Sequence, residues 1–72
     1  MYVFSEKIKE LRKAKNLTQK QLAEKINASE SGIQNYELGV RKPYNDTLIK
    51  LADYFNVSID YLVGRTDKPE IN

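Results

Sequence analysis

"TQKQLAEKINASESGIQNYELG", residues 18–39, carries two short helical patterns with almost nothing between them. Thr18 precedes Gln21 by three residues, the spacing at which two side chains satisfy each other's helix-end amides. The helix after this box sets Leu22 and Ile26 on one face with Ala23 beside them, and it stops at Asn27. Ser29 then caps another helix whose apolar residues are Ile33 and Tyr36, with Leu38 near its end and Gly39 as terminator. Only Asn27, Ala28 and Ser29 separate the two. So short a linker cannot serve long antiparallel helices; it fits two short helices crossing at a steep angle, a helix-turn-helix. Ala23 is small enough for close approach, and Asn27 can adopt the positive φ that the corner requires. Leu22, Ile26, Ala28, Ile33 and Tyr36 are the apolar residues expected to lock the pair.

Upstream, Phe4, Ile8, Leu11 and Leu17 recur at helical spacing with basic residues between them. Ser5 is a candidate cap and Asn16 a candidate terminator, which predicts a first helix over about residues 5–15. Downstream, "VRKPY" (40–44) is a basic loop, because Pro43 lacks an amide hydrogen and disfavours helix at Lys42. Asn45 is the expected cap of a fourth helix, with Asp46 favourable in its first turn. Leu48, Leu51, Ala52 and Phe55 give that helix its buried stripe, and Asn56 ends it. Ser58 caps a last short helix closed by Gly64, with Ile59 and Leu62 expected to pack on the body. Nothing reads as a strand or a repeat. The fold class is all-α: one compact domain of five short helices over residues 1–64, then a flexible C-terminal tail over 65–72.

Composition bounds the function. The chain has 72 residues, enough for one domain, and neither Cys nor His. Disulfides, a thiol nucleophile, a zinc site and His-based acid–base chemistry are therefore excluded, and no cofactor is expected. The start, "MYVFSEKIKE", does not read as a signal peptide, and no stretch reaches the roughly 18 apolar residues of a membrane helix. A soluble cytoplasmic protein is the expectation. The net charge of +2 is small but unevenly spread. Lys7, Lys9, Arg12, Lys13, Lys15, Lys20 and Lys25 outweigh Glu10 and Glu24 in the first part, whereas residues 53–70 are acidic on balance. Such polarity suits one face turned to a polyanion, although an ordinary solvated surface gives the same pattern.

Four segments in order, "LTQKQLAEKI", the Ser29-to-Ile33 helix start, "YELGVRKP" and "LADYFNVSIDYLVG", make the sequence resemble the Cro/Xre-type helix-turn-helix repressors of phages and bacteria. The likeness runs from about Phe4 to Gly64. It implies a lambda-repressor-like DNA-binding domain whose third helix enters the major groove while the second crosses the phosphate backbone. The base-contacting candidates it implies are Glu30, Ser31, Gln34 and Asn35. Glu30 can accept from the exocyclic amine of cytosine, and Ser31 can donate or accept. A carboxylate at Glu30 departs from the neutral or basic residue common in the family; it either reads a base or only favours the helix N-terminus. Gly32 departs too, since Gly inside a helix costs roughly 1 kcal/mol relative to Ala. Either something approaches closely there or the helix is weak.

The resemblance further implies phosphate contacts from Gln19, Arg41 and Lys42, with Ser29 and Tyr36 as further donors unless Ser29 is only a cap and Tyr36 mainly core. It also implies an ion pair between Arg12 and Glu37, tying the first helix to the third. The expected partner is double-stranded DNA carrying a pseudo-palindromic operator, bound by a homodimer. Ile59, Tyr61 and Val63 are the candidate dimer contacts. The resemblance leaves room for a protein anti-repressor or an additional C-terminal domain, and it implies a bacterial or phage-encoded protein acting at the nucleoid. The function expected is a sequence-specific transcriptional regulator, a repressor. The alternative is a protein-interaction module such as the antitoxin of a toxin–antitoxin pair. Enzymatic activity is not expected: the acids are scattered, and no Gly-rich loop follows a strand.

Overall fold

The computed structural model describes residues 2–70, with Tyr2 described by its backbone alone. Among the described residues five helices run in order: α1 (Tyr2–Ala14), α2 (Gln19–Lys25), α3 (Glu30–Leu38), α4 (Asn45–Phe55) and α5 (Ile59–Leu62). Among the described residues there is no strand.

Every helix stops the same way. Asn16, Asn27, Gly39, Asn56 and Gly64 come just after the five helices and are, among the described residues, those with positive φ. At each, the left-handed residue donates its N–H three residues back and its successor donates five residues back. At the helix-turn-helix corner these bonds are Asn27 to the Glu24 carbonyl, 3.3 Å, and Ala28 to the Ala23 carbonyl, 2.8 Å. Two orphan carbonyls of each last turn are thereby satisfied. Asn and Gly suit these positions because larger L side chains resist positive φ.

Helix starts are less uniform. Thr18 and Gln21 form the reciprocal capping box, and Ser29 and Ser58 accept from the amides of Gly32 and Tyr61. Ser5, in contrast, is not a cap. α1 begins earlier, at Tyr2, and the Ser5 side chain is buried inside it, facing Gly39 across the α1–α3 contact. The earlier start puts Phe4 on the helix, where its ring meets the edge of Tyr36 at 6.1 Å between centroids. Nor does Asn45 cap α4: Tyr44 takes that backbone position without a side-chain bond, and Asp46 Oδ1 accepts from the Thr47 amide instead.

The core is centred on Phe4, Ile8, Leu22, Ile33, Leu51 and Leu62, each fully buried and each worth about 1.5–3 kcal/mol of transfer free energy. Lys7 of α1 and Lys15 just beyond its end hold the C-terminal helices from outside, Lys7 Nζ lying 4.4 Å from the Tyr61 ring centre and Lys15 Nζ 5.5 Å from that of Tyr54. Three apolar residues stand further out than their pattern suggests. Ala28 faces solvent beyond the corner, Leu38 is exposed at the end of α3, and Ile59 is only part-covered while Leu62 fills the core.

Gly64 sits against α1, where a Cβ would lie 2.5 Å from Val3 Cγ1. Beyond it the chain turns back, and the Pro69 carbonyl accepts from the Ser58 amide at 2.9 Å. Of the segment read as a flexible tail, Ile71 and Asn72 lie outside the described residues.

Candidate nucleic-acid interface

α3 divides cleanly between two environments. Gly32, Ile33 and Tyr36 are buried, while Glu30, Ser31 and Gln34 are exposed and Asn35 is half-buried. Residues three and four apart share a helix face, so burying 32, 33 and 36 turns 30, 31 and 34 outward together. A continuous strip of exposed polar side chains results. Gly32 has a local explanation: a Cβ there would come within 3.0 Å of the Ser29 hydroxyl, which caps the helix by accepting from the Gly32 amide at 3.1 Å. The close approach is made by the cap. The same Ser29 oxygen lies 3.5 Å from that of Ser31.

Beyond Gly39 the basic loop is open to solvent. Arg41 and Lys42 are both exposed, and Pro43 is half-buried between Lys42 and Tyr44. Leu38, Val40 and Tyr44, each more than 70% exposed, flank them along the chain. The helical pattern marks Leu38 but neither Val40 nor Tyr44.

Tyr36 is a core residue. Its side chain is 6% exposed and its ring packs on Phe4, which leaves it poorly placed to be counted with the phosphate donors. Gln19, half-buried at the start of α2, uses its side chain internally. Its Nε2 donates to Glu37 Oε1 at 3.1 Å.

That carboxylate is the centre of a small network. Arg12 Nε donates to Glu37 Oε2 at 2.6 Å and Arg12 Nη2 to Oε1 at 3.0 Å, a two-pronged pairing. Arg12 Nη1 donates to the Leu17 carbonyl at 2.7 Å. The side chains are 12% and 4% exposed. The hydrogen bond to Glu37 raises the guanidinium pKa, desolvation opposes it, and the Coulombic attraction of Glu37 adds to the rise. A raised guanidinium pKa keeps Arg12 charged near neutrality, and that charge is lost only far above it. The network ties α1, the α1–α2 connection, α2 and α3 together. Among the described residues no cluster of His, Cys, Asp and Glu is placed to hold a metal ion, and no helix is long and apolar enough to cross a membrane.

This geometry has counterparts. A family profile described as "Helix-turn-helix" matches residues 8–62. The chain is 43% identical over 68 residues to the Bacillus subtilis protein named "Uncharacterized HTH-type transcriptional regulator YobD", covering 94% of this chain and 61% of that one. It is 42% identical over 66 residues to "HTH-type transcriptional regulator ImmR" of the same organism, covering 92% and 52%. It thus spans about half to three-fifths of the length of these relatives. Among solved structures, the P22 c2 repressor in complex with a synthetic operator superposes with a TM-score of 0.80 at 26% identity, covering 86% of this chain and 94% of that one.

Proposed function

We propose, from the premise that this chain belongs to the Cro/Xre-type helix-turn-helix family, that it is a sequence-specific, double-stranded-DNA-binding transcriptional regulator acting as a repressor. The observation that carries the reading is the outward polar strip of α3, Glu30, Ser31 and Gln34 with Asn35 half-buried beside it, held over a corner closed at both ends by hydrogen bonds. α3 enters the major groove with these four side chains toward base edges. Gln19, Ser29, Arg41 and Lys42 meet the flanking phosphates and set the register. The named relatives are regulators, and the P22 c2 repressor was solved on an operator, which supports the assignment.

One such domain covers a few base pairs, so two copies bind pseudo-palindromic half-sites about 34–36 Å apart. Ile59, Tyr61 and Val63, on and beside α5, are the proposed contacts between them. The site of action is the bacterial cytoplasm, on the nucleoid. No observation favours the antitoxin reading over this one.

Selection of bound sites from a random DNA pool tests the proposal, together with affinity measurements across a salt series. Lys42→Ala should flatten the dependence of log affinity on log salt by about one unit, uniformly across sequences. Substituting Glu30 should instead change which sites are selected. If both variants bind as the parent does, the assigned surface is wrong.

A further inference from the structure

A groove of about 810 Å³ opens where α4, the start of α5 and the chain returning past them meet. Ile49 and Ala52 of α4, Val57 in the connection and Ile59 of α5 give its apolar lining. The Pro69 carbonyl, bonded to the Ser58 amide, holds the returning chain beside α5, so that Lys68 and Glu70 line the groove as well. Ile49 and Ile59 are large apolar side chains left exposed on two different helices, and both line this one concavity. Single apolar residues on a surface need no explanation, but apolar side chains converging in a groove mark a contact site. The carboxylates of Asp53, Asp60 and Glu70 line the same groove, with Lys68 the one cation among its described lining residues. Among the described residues none of the three carboxylates is ion-paired. Asp53 stands in the last turn of α4, which holds no basic residue, and a carboxylate there opposes the helix dipole. The fold gains nothing electrostatically from placing it there.

We propose that this groove docks a basic peptide segment of a partner protein, one that carries large apolar side chains together with lysine or arginine. The apolar side chains of the segment cover Ile49 and Ile59, and its cations meet the three carboxylates. Apolar anchors supply the affinity of such a contact, and complementary charge fixes its orientation and partner. A second copy of this chain is a poorer occupant. A two-fold contact through the groove would set the same carboxylates against one another, and like charges repel. Ile59 is common to the groove and the proposed dimer contacts, whereas Tyr61 and Val63 do not line it. No lining residue belongs to the set proposed to meet DNA, so peptide and DNA occupy separate surfaces.

The experiment titrates the full chain with a short fluorescent peptide of leucines and lysines. Two control peptides carry glutamate for every lysine or serine for every leucine. Anisotropy gives the affinity, and ¹⁵N spectra locate the contact. The leucine–lysine peptide should bind at micromolar concentration and shift the amides of Ile49, Val57 and Ile59. Both controls should bind about tenfold more weakly. Asp53→Lys should weaken the leucine–lysine peptide about tenfold while melting no lower than wild type, because a cation suits the end of α4. Ile49→Ser should weaken it from the apolar side, and Glu10→Lys, on α1 outside the groove, should leave it unchanged. Lack of saturable binding overturns the inference, as do amide shifts confined to other surfaces. Equal binding of the serine peptide would reduce the contact to charge attraction and overturn it too. Unchanged affinity in both Asp53→Lys and Ile49→Ser has the same consequence. Sedimentation of the same variants tests the other occupant. Self-association that Ile49→Ser abolishes, without peptide binding in wild type, would assign the groove to a second copy instead.

Discussion

Both connections that flank α3 turn on a left-handed residue, Asn27 before it and Gly39 after it, and both make the same pair of backbone bonds. Past the turn, the two diverge. After Asn27 the chain needs only Ala28 before Ser29, whose hydroxyl accepts from the Gly32 amide and starts α3. After Gly39 it runs through Val40, Arg41, Lys42 and Pro43 to Tyr44, which occupies the cap position of α4 with no side-chain bond. The first connection is tied at both ends over a few residues, so α2 and α3 behave as one body. The second spends its positions on side chains that the fold does not use. A domain that must present a helix rigidly and grip its surroundings loosely divides the two tasks in this way.

The contrast can be broken at its strongest point by emptying the corner's anchor. Ile33→Ala should cost about 2–5 kcal/mol in denaturant unfolding, whereas Val40→Ala in the loop should stay within about 0.5 kcal/mol. A comparable loss at both would mean the loop carries packing after all. Next in size, Asn27→Val forces a branched side chain into positive φ and should cost roughly 1–2 kcal/mol, while Asn27→Gly should be close to neutral. Denaturation midpoints of the two variants check this.

Ser29→Ala removes the tie at the start of α3 and should cost about 1 kcal/mol. Its effect on hydrogen exchange should concentrate in the first turn of that helix. The smallest effect runs the other way. Tyr44→Ser restores a capping oxygen to α4 and should stabilise by about 0.5–1 kcal/mol, raising the melting temperature by a few degrees. If Tyr44 serves DNA binding, the same variant should bind more weakly despite melting later. If both quantities rise, the loop's aromatic has no such role.

Much of this division was legible in advance. Asn16, Asn27, Gly39, Asn56 and Gly64 stand out as helix terminators, and each has positive φ. The Thr18–Gln21 box and the caps at Ser29 and Ser58 form as their spacing suggests. Ser5 and Asn45 have equally good capping chemistry and do not cap. In the first case Phe4 must lie on the helix to meet Tyr36, and in the second the register of the Leu51, Ala52 and Phe55 stripe fixes where α4 begins. The outward strip of α3 is a consequence of the burial of Ile33 and Tyr36, two residues its apolar pattern already marked. The side-chain employment of Gln19 had no local signal, because its partner Glu37 lies 18 positions away.

The amino-acid order by itself determined where helices stop and most places where they start, because those hydrogen bonds close within a few residues and depend only on neighbours. It also determined that α3 has one apolar and one polar side. Only tertiary packing decided that Gln19 joins the expected Arg12–Glu37 pair, that Ala28 and Leu38 face water, and that Ser5 faces Gly39. Those outcomes depend on the angle at which helices cross, and that angle is set by how all the buried side chains fit together at once.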